Sequence, residues 1–503
     1  MRTLKSIRNI FWGVAAQFIV LLLGFVSRKI FLGYLGYEVL GIQGLFQNII
    51  SLLNISDCGI GLAIICTLYK PLALDDRHLI CSLMAFYEKV YHILAIFILT
   101  AGLLLLPFIS KFMKDAAFSP GTLRVIFLIF VADIVISYLF SYKRSILLAD
   151  QNGYVLSLCY ALYNIGLMLA QIIIAVYFFN IILFFSLRLV FRIVENIAVS
   201  FAVSCKYPYV KEYHAKKLPP DLRKNIFNNT KALAFHYIGN YLTGGINNIV
   251  ISTFIGLTAV GIYGNYSVLI VAATGIISQF SNGITASFGN MIAQETKDKI
   301  LNVFEIAFFI NFVIYNMAGV TAFILITPFV RLWMGISGVL PFNSVLTIVA
   351  AFYLSGLSQP LGAIRASAGI FQPDKYLHVF IAGLNVFLSV ALVKTIGLPG
   401  VFVGSLICIF IKEISVLPHI VYKYLFEKTA SGYFKLFICS VFSTILSFAV
   451  TFYICRTVHA DNEFLDFAVK TVVCLSVPNI VVLILWRRTK YIPAVFKVIR
   501  DLI

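Results

Sequence analysis

Charged side chains inside long apolar runs are the residues of this chain with the most chemistry to offer. Each costs at least ~2.5–3.5 kcal/mol at the centre of a membrane-spanning helix, so such groups turn inward and mark ligand or ion pathways. Arg188, Arg192 and Glu195 are spaced four, three and seven apart, which puts them on one helical face. That face reads either as cavity lining or as an internal neutralising pair of Arg192 with Glu195. Arg28 lies late in the first apolar run and is a candidate to face a cavity, with Lys29 beside it snorkelling to the surface. Arg144 and Arg365 stand at the ends of two later runs. Guanidinium groups in such places suit an anionic ligand. The plainer reading is an anchor at a helix end. Asp57 and Asp133 are lone acids within runs. Either is a candidate carrier of a coupling ion, H+ or Na+, and the plainer reading is a hydrogen bond to a neighbouring helix. Lys412 and Glu413 are adjacent, hence about 100° apart on a helix, and are expected to pair with other helices rather than with each other.

The elements that would position these groups follow from composition. Of 503 residues, 61% are hydrophobic and 12% charged, against about 25% charged in soluble domains. A mean hydropathy of +0.96 excludes an ordinary soluble enzyme. The runs are long and continuous, which favours helices over the short alternating segments of a membrane barrel. At about 20 residues per span, fourteen are legible: roughly 10–33, 40–67, 86–109, 122–142, 154–177, 181–204, 232–255, 260–290, 304–329, 341–364, 376–396, 399–421, 434–455 and 467–486. The first run is too long for a signal peptide and no small-residue cleavage pattern follows it.

Charge then sets orientation. The net charge is +18, which in a soluble protein would suggest nucleic acid. Here most Lys and Arg fall on one side of the spans. Lys206, Lys211, Lys216, Lys217, Arg223, Lys224 and Lys231 crowd a single connection. The positive-inside rule makes both termini cytoplasmic. The basic excess orients the chain and faces anionic membrane lipids, so no nucleic-acid partner is implied. Nine Cys lack any Cys-x-x-Cys and seven His lack ligand spacing, so no metal and no cofactor are assigned.

The chain also repeats itself. Phe31-Leu-Gly33 followed by Gly41-Ile-Gln-Gly44 is echoed by Phe254-Ile-Gly256 followed by Gly261-Ile-Tyr-Gly264, with 220 residues from Gly41 to Gly261. Arg144 and Arg365 are 221 apart, as are Gln151 and Gln372. These steps pair spans 1–6 with spans 7–12. Six being even, the repeats are parallel, related by a pseudo-two-fold axis along the membrane normal. The expected organisation is an N-lobe (1–205), a basic cytoplasmic linker (206–231), a C-lobe (232–423), two appended spans (424–486) and an amphipathic cytoplasmic tail (487–503). Fold class is therefore all-α polytopic membrane protein: two parallel six-helix lobes plus two C-terminal helices. Transporters commonly bind substrate between such lobes and alternate access by rocking.

Several of these elements resemble bacterial polysaccharide flippases of the multidrug/oligosaccharidyl-lipid/polysaccharide exporter superfamily. They are Arg28…Phe31-Leu-Gly33…Gly41-Ile-Gln-Gly44, Asp57-Cys-Gly59-Ile-Gly61-Leu-Ala63, Phe254-Ile-Gly256…Gly261-Ile-Tyr263-Gly264 and Ala286-Ser-Phe-Gly289-Asn-Met-Ile-Ala293. The resemblance spans the whole chain. It implies translocation of a polyprenyl-diphosphate-linked oligosaccharide across the bacterial cytoplasmic membrane, with the sugar passing a cavity between lobes and the lipid tail in the bilayer. Arg28 then suits a diphosphate, and polysaccharide-assembly proteins become candidate partners. Where family members often carry an acid in span 7, this chain has Asn247 and Asn248, which puts carboxylate-based coupling in that lobe in doubt.

Competing functions are weighed on the same residues. No G-x-x-x-x-G-K-[ST] loop occurs, so transport would not be ATP-driven. A multidrug exporter of the same superfamily would favour acidic cavity residues over these arginines. A peptidoglycan-precursor flippase fits fourteen spans equally well. A glycan polymerase, ligase or acyltransferase needs convergent acid/base groups, and the longest outer connection offers only His459, Asp461, Glu463 and Asp466. No catalytic residues are assigned, and the chain is expected not to be an enzyme.

Overall fold

The computed structural model describes residues 2–54, 60–113, 117–150, 152–212, 218–219, 223, 226, 246–370, 373–374, 376–458 and 461–495. Among them no strand occurs. Helix α1 runs Arg2–Leu53, broken at Gly36, whose φ of 79° and ψ of 175° only glycine adopts readily. Gly36 thereby ends the first span and starts the second, which α2 (Ile60–Ala73) continues. Then come α3 (Arg77–Leu105), α4 (Pro120–Ala149), α5 (Gly153–Ile173), α6 (Ile181–Lys206), α7 (246–254) and α8 (Leu257–Gln294). They are followed by α9 (Lys297–Met334), α10 (Phe342–Leu357), α11 (Gln359–Ser367), α12 (Leu377–Ile396) and α13 (Leu398–Ile409). The last are α14 (Leu417–Val421), α15 (Ser431–Thr457) and α16 (Glu463–Trp486).

Side chains fix several of the helix starts. Asp76 accepts from the Leu79 amide, Ser119 from Thr122, Asn180 from Leu183 and Asn462 from Phe464, each satisfying an orphan donor of a first turn. Every expected span coincides with a described helix over all or part of its length. Eleven of the described helical stretches are long and apolar enough to cross a membrane. Three spans fall outside that count. The second includes 55–59, which lie outside the described residues, the sixth carries its charged face, and the seventh is described only from 246 onward.

The chain divides into two compact units, Met1–Gly261 and Ile262–Ile503. The linker expected at 206–231 falls largely outside the described residues, and the tail expected at 487–503 is described to 495, helical over 491–495. Lipid tails are as apolar as the side chains, so packing and polar contacts, rather than hydrophobic expulsion, hold such helices together. In the first unit an aromatic chain does this. Phe46 meets Phe127 at 5.2 Å and Phe130 at 5.6 Å between ring centroids, Phe130 meets Phe185 at 5.4 Å, and Phe31 meets Phe184 edge-on at 4.9 Å.

In the second unit a proline requires a donor from a neighbour. Pro478, inside α16, lacks an N–H, so the carbonyl of Cys474 four residues earlier has no intrahelical partner, whereas Pro360 opens α11 and the Gly356 carbonyl accepts from the Ser358 amide. Asn311 donates to the Gly356 oxygen at 2.9 Å, and Thr321 to the Cys474 oxygen at 3.2 Å. Both donors lie on α9. Asn316, on the same helix, reaches the Pro478 carbonyl at 3.4 Å. The appended α16 is thus tied to α9 at specific atoms. Trp486 completes the contact, donating to Ser443 on α15 and packing on Phe309 at 5.0 Å.

Candidate functional site

The charged face of α6 meets a single acid on α4. Arg188 and Arg192 converge on Asp133, at 3.2 Å to one carboxylate oxygen and 2.9 Å to the other. Arg192 also contacts Glu195 at 2.5 Å, and Arg144 reaches the second Glu195 oxygen at 3.2 Å. Arg192 stacks over Tyr163 of α5 with its guanidinium carbon 4.3 Å from the ring, and Arg188 over Phe130 at 4.4 Å. Asn196 accepts from Arg144 at 3.0 Å and donates to the Ile136 carbonyl at 3.3 Å. The spacing of Arg188, Arg192 and Glu195 therefore yields a network of internal pairs, and the same face lines a cavity. Three guanidiniums meet two carboxylates, leaving the group one positive charge in excess. Both Asp133 oxygens are occupied by guanidinium groups, an arrangement built for holding arginines rather than for coordinating an ion. Asp57 lies outside the described residues.

Arg144 and Arg365 do not behave as a symmetric pair. Arg144 is half-buried and reaches across to α6. Arg365 is 6% exposed and points back into its own turn, 2.7 Å from Asp374 and 3.0 Å from the Ile370 carbonyl. His378 lies 3.9 Å from the same carboxylate. A buried arginine closing the turn between α11 and α12 has the geometry of the plainer reading, an anchor at a helix end. Gln151 and Gln372, the other matched pair of the repeat, are outside the described residues.

The glycine pair of the repeat has a direct structural use. A Cβ on Gly41 would stand 2.1 Å from the Leu257 carbonyl oxygen, and one on Gly261 would stand 2.2 Å from that of Tyr37. The two positions that the sequence aligns 220 residues apart thus meet backbone to backbone, where only glycine fits. Arg28 is half-buried and donates to the Gly261 carbonyl at 3.1 Å, while Lys29 is exposed. Lys412 and Glu413 lie 3.8 Å apart and do pair with each other, in a stretch, Phe410–Val416, that is π-helical. Glu413 also accepts from Ser358 at 2.7 Å.

Beside the arginine network, Gln17, Arg144, Ser157, Tyr160 and Glu195 line a cavity of about 390 Å³ in the first unit. Asn196 and, of the cavity's polar residues, Gln17, Ser157 and Tyr160 were not singled out from sequence. For Asn196 the signal was present, since it stands four residues after Arg192. Among the described residues no three His, Cys, Asp or Glu side chains converge as metal ligands.

A family model described as polysaccharide biosynthesis protein matches residues 6–285, more than half of the chain. The chain belongs to that family. Its fold is similar to that of the lipid II flippase MurJ in an inward closed conformation, at a TM-score of 0.70 and 15% identity, covering 95% of this chain and 99% of that one. It is also similar to an inward-facing multidrug resistance MATE family transporter of the MOP superfamily, at a TM-score of 0.65 and 15% identity over 80% and 96% of the two chains. A point mutant of the Vibrio cholerae MATE transporter VcmN matches at a TM-score of 0.57 and 14% identity, over 85% and 98%. No curated protein matches the chain by sequence. Family membership and the membrane-length helices make this a multi-pass membrane protein of the polysaccharide biosynthesis family, with the two-lobed all-α architecture expected from its repeats.

Proposed function

We propose that the protein flips a polyprenyl-diphosphate-linked oligosaccharide across the bacterial cytoplasmic membrane for cell-surface polysaccharide assembly. It does so by alternating access, with both termini cytoplasmic. The observation that carries this reading is the sign of the intramembrane charge. Arg144, Arg188 and Arg192 outnumber Asp133 and Glu195, and Arg28 adds a further guanidinium at the Gly261 carbonyl. An excess of buried cations favours an anionic cargo and disfavours the cationic drugs that a multidrug exporter would take. Family membership supports the polysaccharide side of the superfamily. Candidate partners are the lipid-linked cargo, membrane lipids and polysaccharide-assembly proteins.

The fold's likeness to a lipid II flippase favours one second reading, a peptidoglycan-precursor cargo. The test is deletion of the gene, followed by leaflet-resolved measurement of the lipid-linked pool and mass analysis of what accumulates. The proposal expects lipid-linked oligosaccharide on the cytoplasmic leaflet and loss of surface glycan. Accumulated lipid-linked muropeptide would transfer the assignment to the second reading. An unchanged pool in a strain without redundant transporters would end both.

A further inference from the structure

We propose that the cavity beside Arg144 binds a pyranose ring of the cargo's head group, through its hydroxyls and one C–H face, and does not bind the diphosphate. The proposal rests on the flippase reading and adds to it which part of the cargo sits where.

Local charge is the first argument. Arg144 and Glu195 are the two charged groups of the lining, and they are paired to each other at 3.2 Å. Arg144 is engaged further by Asn196. The cavity wall is therefore close to electroneutral, although the network behind it carries surplus positive charge. A diphosphate entering here would face the Glu195 carboxylate at contact distance. A neutral polyol meets no such penalty.

The kinds of polar group are the second argument. Guanidinium, carboxylate and carboxamide are planar groups that hold two hydrogen bonds side by side, a match to vicinal ring hydroxyls. Arg144, Glu195 and Gln17 supply one of each. Ser157 spends its proton on the Gly153 carbonyl at 3.3 Å, which leaves its oxygen as an acceptor.

Shape is the third argument. Tyr160 is 44% exposed and lines the cavity, offering an aromatic face to the apolar side of a sugar ring. Leu148 and Leu156 extend that apolar wall. The volume of about 390 Å³ sits at the lower end of the roughly 300–1,000 Å³ typical of small-ligand pockets. It suits one ring with its water rather than a long chain.

The test uses the full-length protein in cells that make the lipid-linked oligosaccharide, with photo-reactive benzoylphenylalanine in place of Leu156. After illumination the purified protein is analysed by mass before and after mild acid, which cleaves the bond between sugar and diphosphate. The proposal expects a cargo adduct that keeps its sugar and loses its polyprenyl diphosphate on acid treatment. An adduct that loses its sugar and keeps the lipid, a phospholipid adduct, or no adduct would overturn it. A second variant guards against misfolding of the first. Tyr160→Ala is expected to raise KM for the lipid-linked cargo about tenfold, ~1.4 kcal/mol, with kcat retained and with Tyr160→Trp near wild type. An unchanged KM in Tyr160→Ala also overturns the proposal. If the unmodified protein moves lipid-linked glycan while these results fail, the cavity assignment falls alone. If it moves none, the flippase reading falls with it.

Discussion

Arg28 donates through Nη2 to the carbonyl oxygen of Gly261, 3.1 Å away in space and 233 residues along the chain. A guanidinium suits a carbonyl and an anionic group alike, and the second role belongs to the flippase proposal. Replacing Arg28 by Ala removes both roles. Transport per inserted protein is expected to fall about ten- to a hundredfold, matching the ~1.5–3 kcal/mol of a hydrogen bond to a charged group. Arg28→Lys keeps the charge without the fork and should fall between. The check is accumulated lipid-linked oligosaccharide, normalised to membrane-inserted protein. Full activity in Arg28→Ala would assign the residue no part in transport.

The contact of Gly41 with Gly261 predicts a contrast among glycines. Gly41→Ala and Gly261→Ala each push a methyl to within about 2 Å of a backbone carbonyl, which no side-chain rotation relieves. Both are expected to lose activity or thermal stability. Gly33→Ala has nothing within 4 Å of its new Cβ. It should be neutral or gain up to about 0.5–1 kcal/mol from helix propensity. Melting in detergent and transport in cells separate the two classes.

The arginine network should respond non-additively. Arg192→Met leaves Arg188 on Asp133 and Arg144 on Glu195. Its cost is expected at about 2–3 kcal/mol, below the ~3–5 kcal/mol of a buried ion with no partner. Arg188→Met combined with Arg192→Met strips Asp133 of both cations and should cost more than the two singles together. A double-mutant cycle on unfolding free energy measures the excess. Strict additivity would show that the contacts are independent.

The carbonyls reached from α9 make a fourth case. Thr321→Val orphans the Cys474 carbonyl inside the bundle, and Asn311→Ala removes the side-chain donor from the Gly356 carbonyl, which keeps the Ser358 amide. Interhelical hydrogen bonds in membranes are worth about 0.6–2 kcal/mol, so each variant should lose that much stability. Thr321→Ser keeps the hydroxyl and should lose less. Unfolding of the purified variants decides, and equal melting of Thr321→Val and wild type would remove the tie from the account.

Hydropathy alone carried most of the fold, because a bilayer forces each spanning segment to satisfy its own backbone. Span 6 was expected at 181–204 and α6 runs Ile181–Lys206. Helical spacing also carried the grouping of Arg188, Arg192 and Glu195, since all three sit on one helix. It could not supply Asp133 as their common acceptor, because that depends on how α4 packs against α6. The repeat offset correctly paired Gly41 with Gly261 without indicating that they touch. The same offset paired Arg144 with Arg365, and there the contacts differ, because the partner of each arginine is set by residues the repeat does not share. Asp374 supplies one and Glu195 the other. The contact of Lys412 with Glu413 was not legible from helical spacing, because two long side chains bridge the angle between neighbouring positions.

Asn311 and Thr321 precede both of the segments whose carbonyls they satisfy. During synthesis the chain emerges from its N-terminal end, so α9 is already in the bilayer when Pro360 and later Pro478 arrive. Each segment finds its side-chain donor waiting, and the Cys474 carbonyl freed by Pro478 need not linger in lipid unpaired. The order of these residues along the gene is thus an assembly schedule. A permuted chain in which α9 is made last would have the same final contacts and would reach them through that exposed defect.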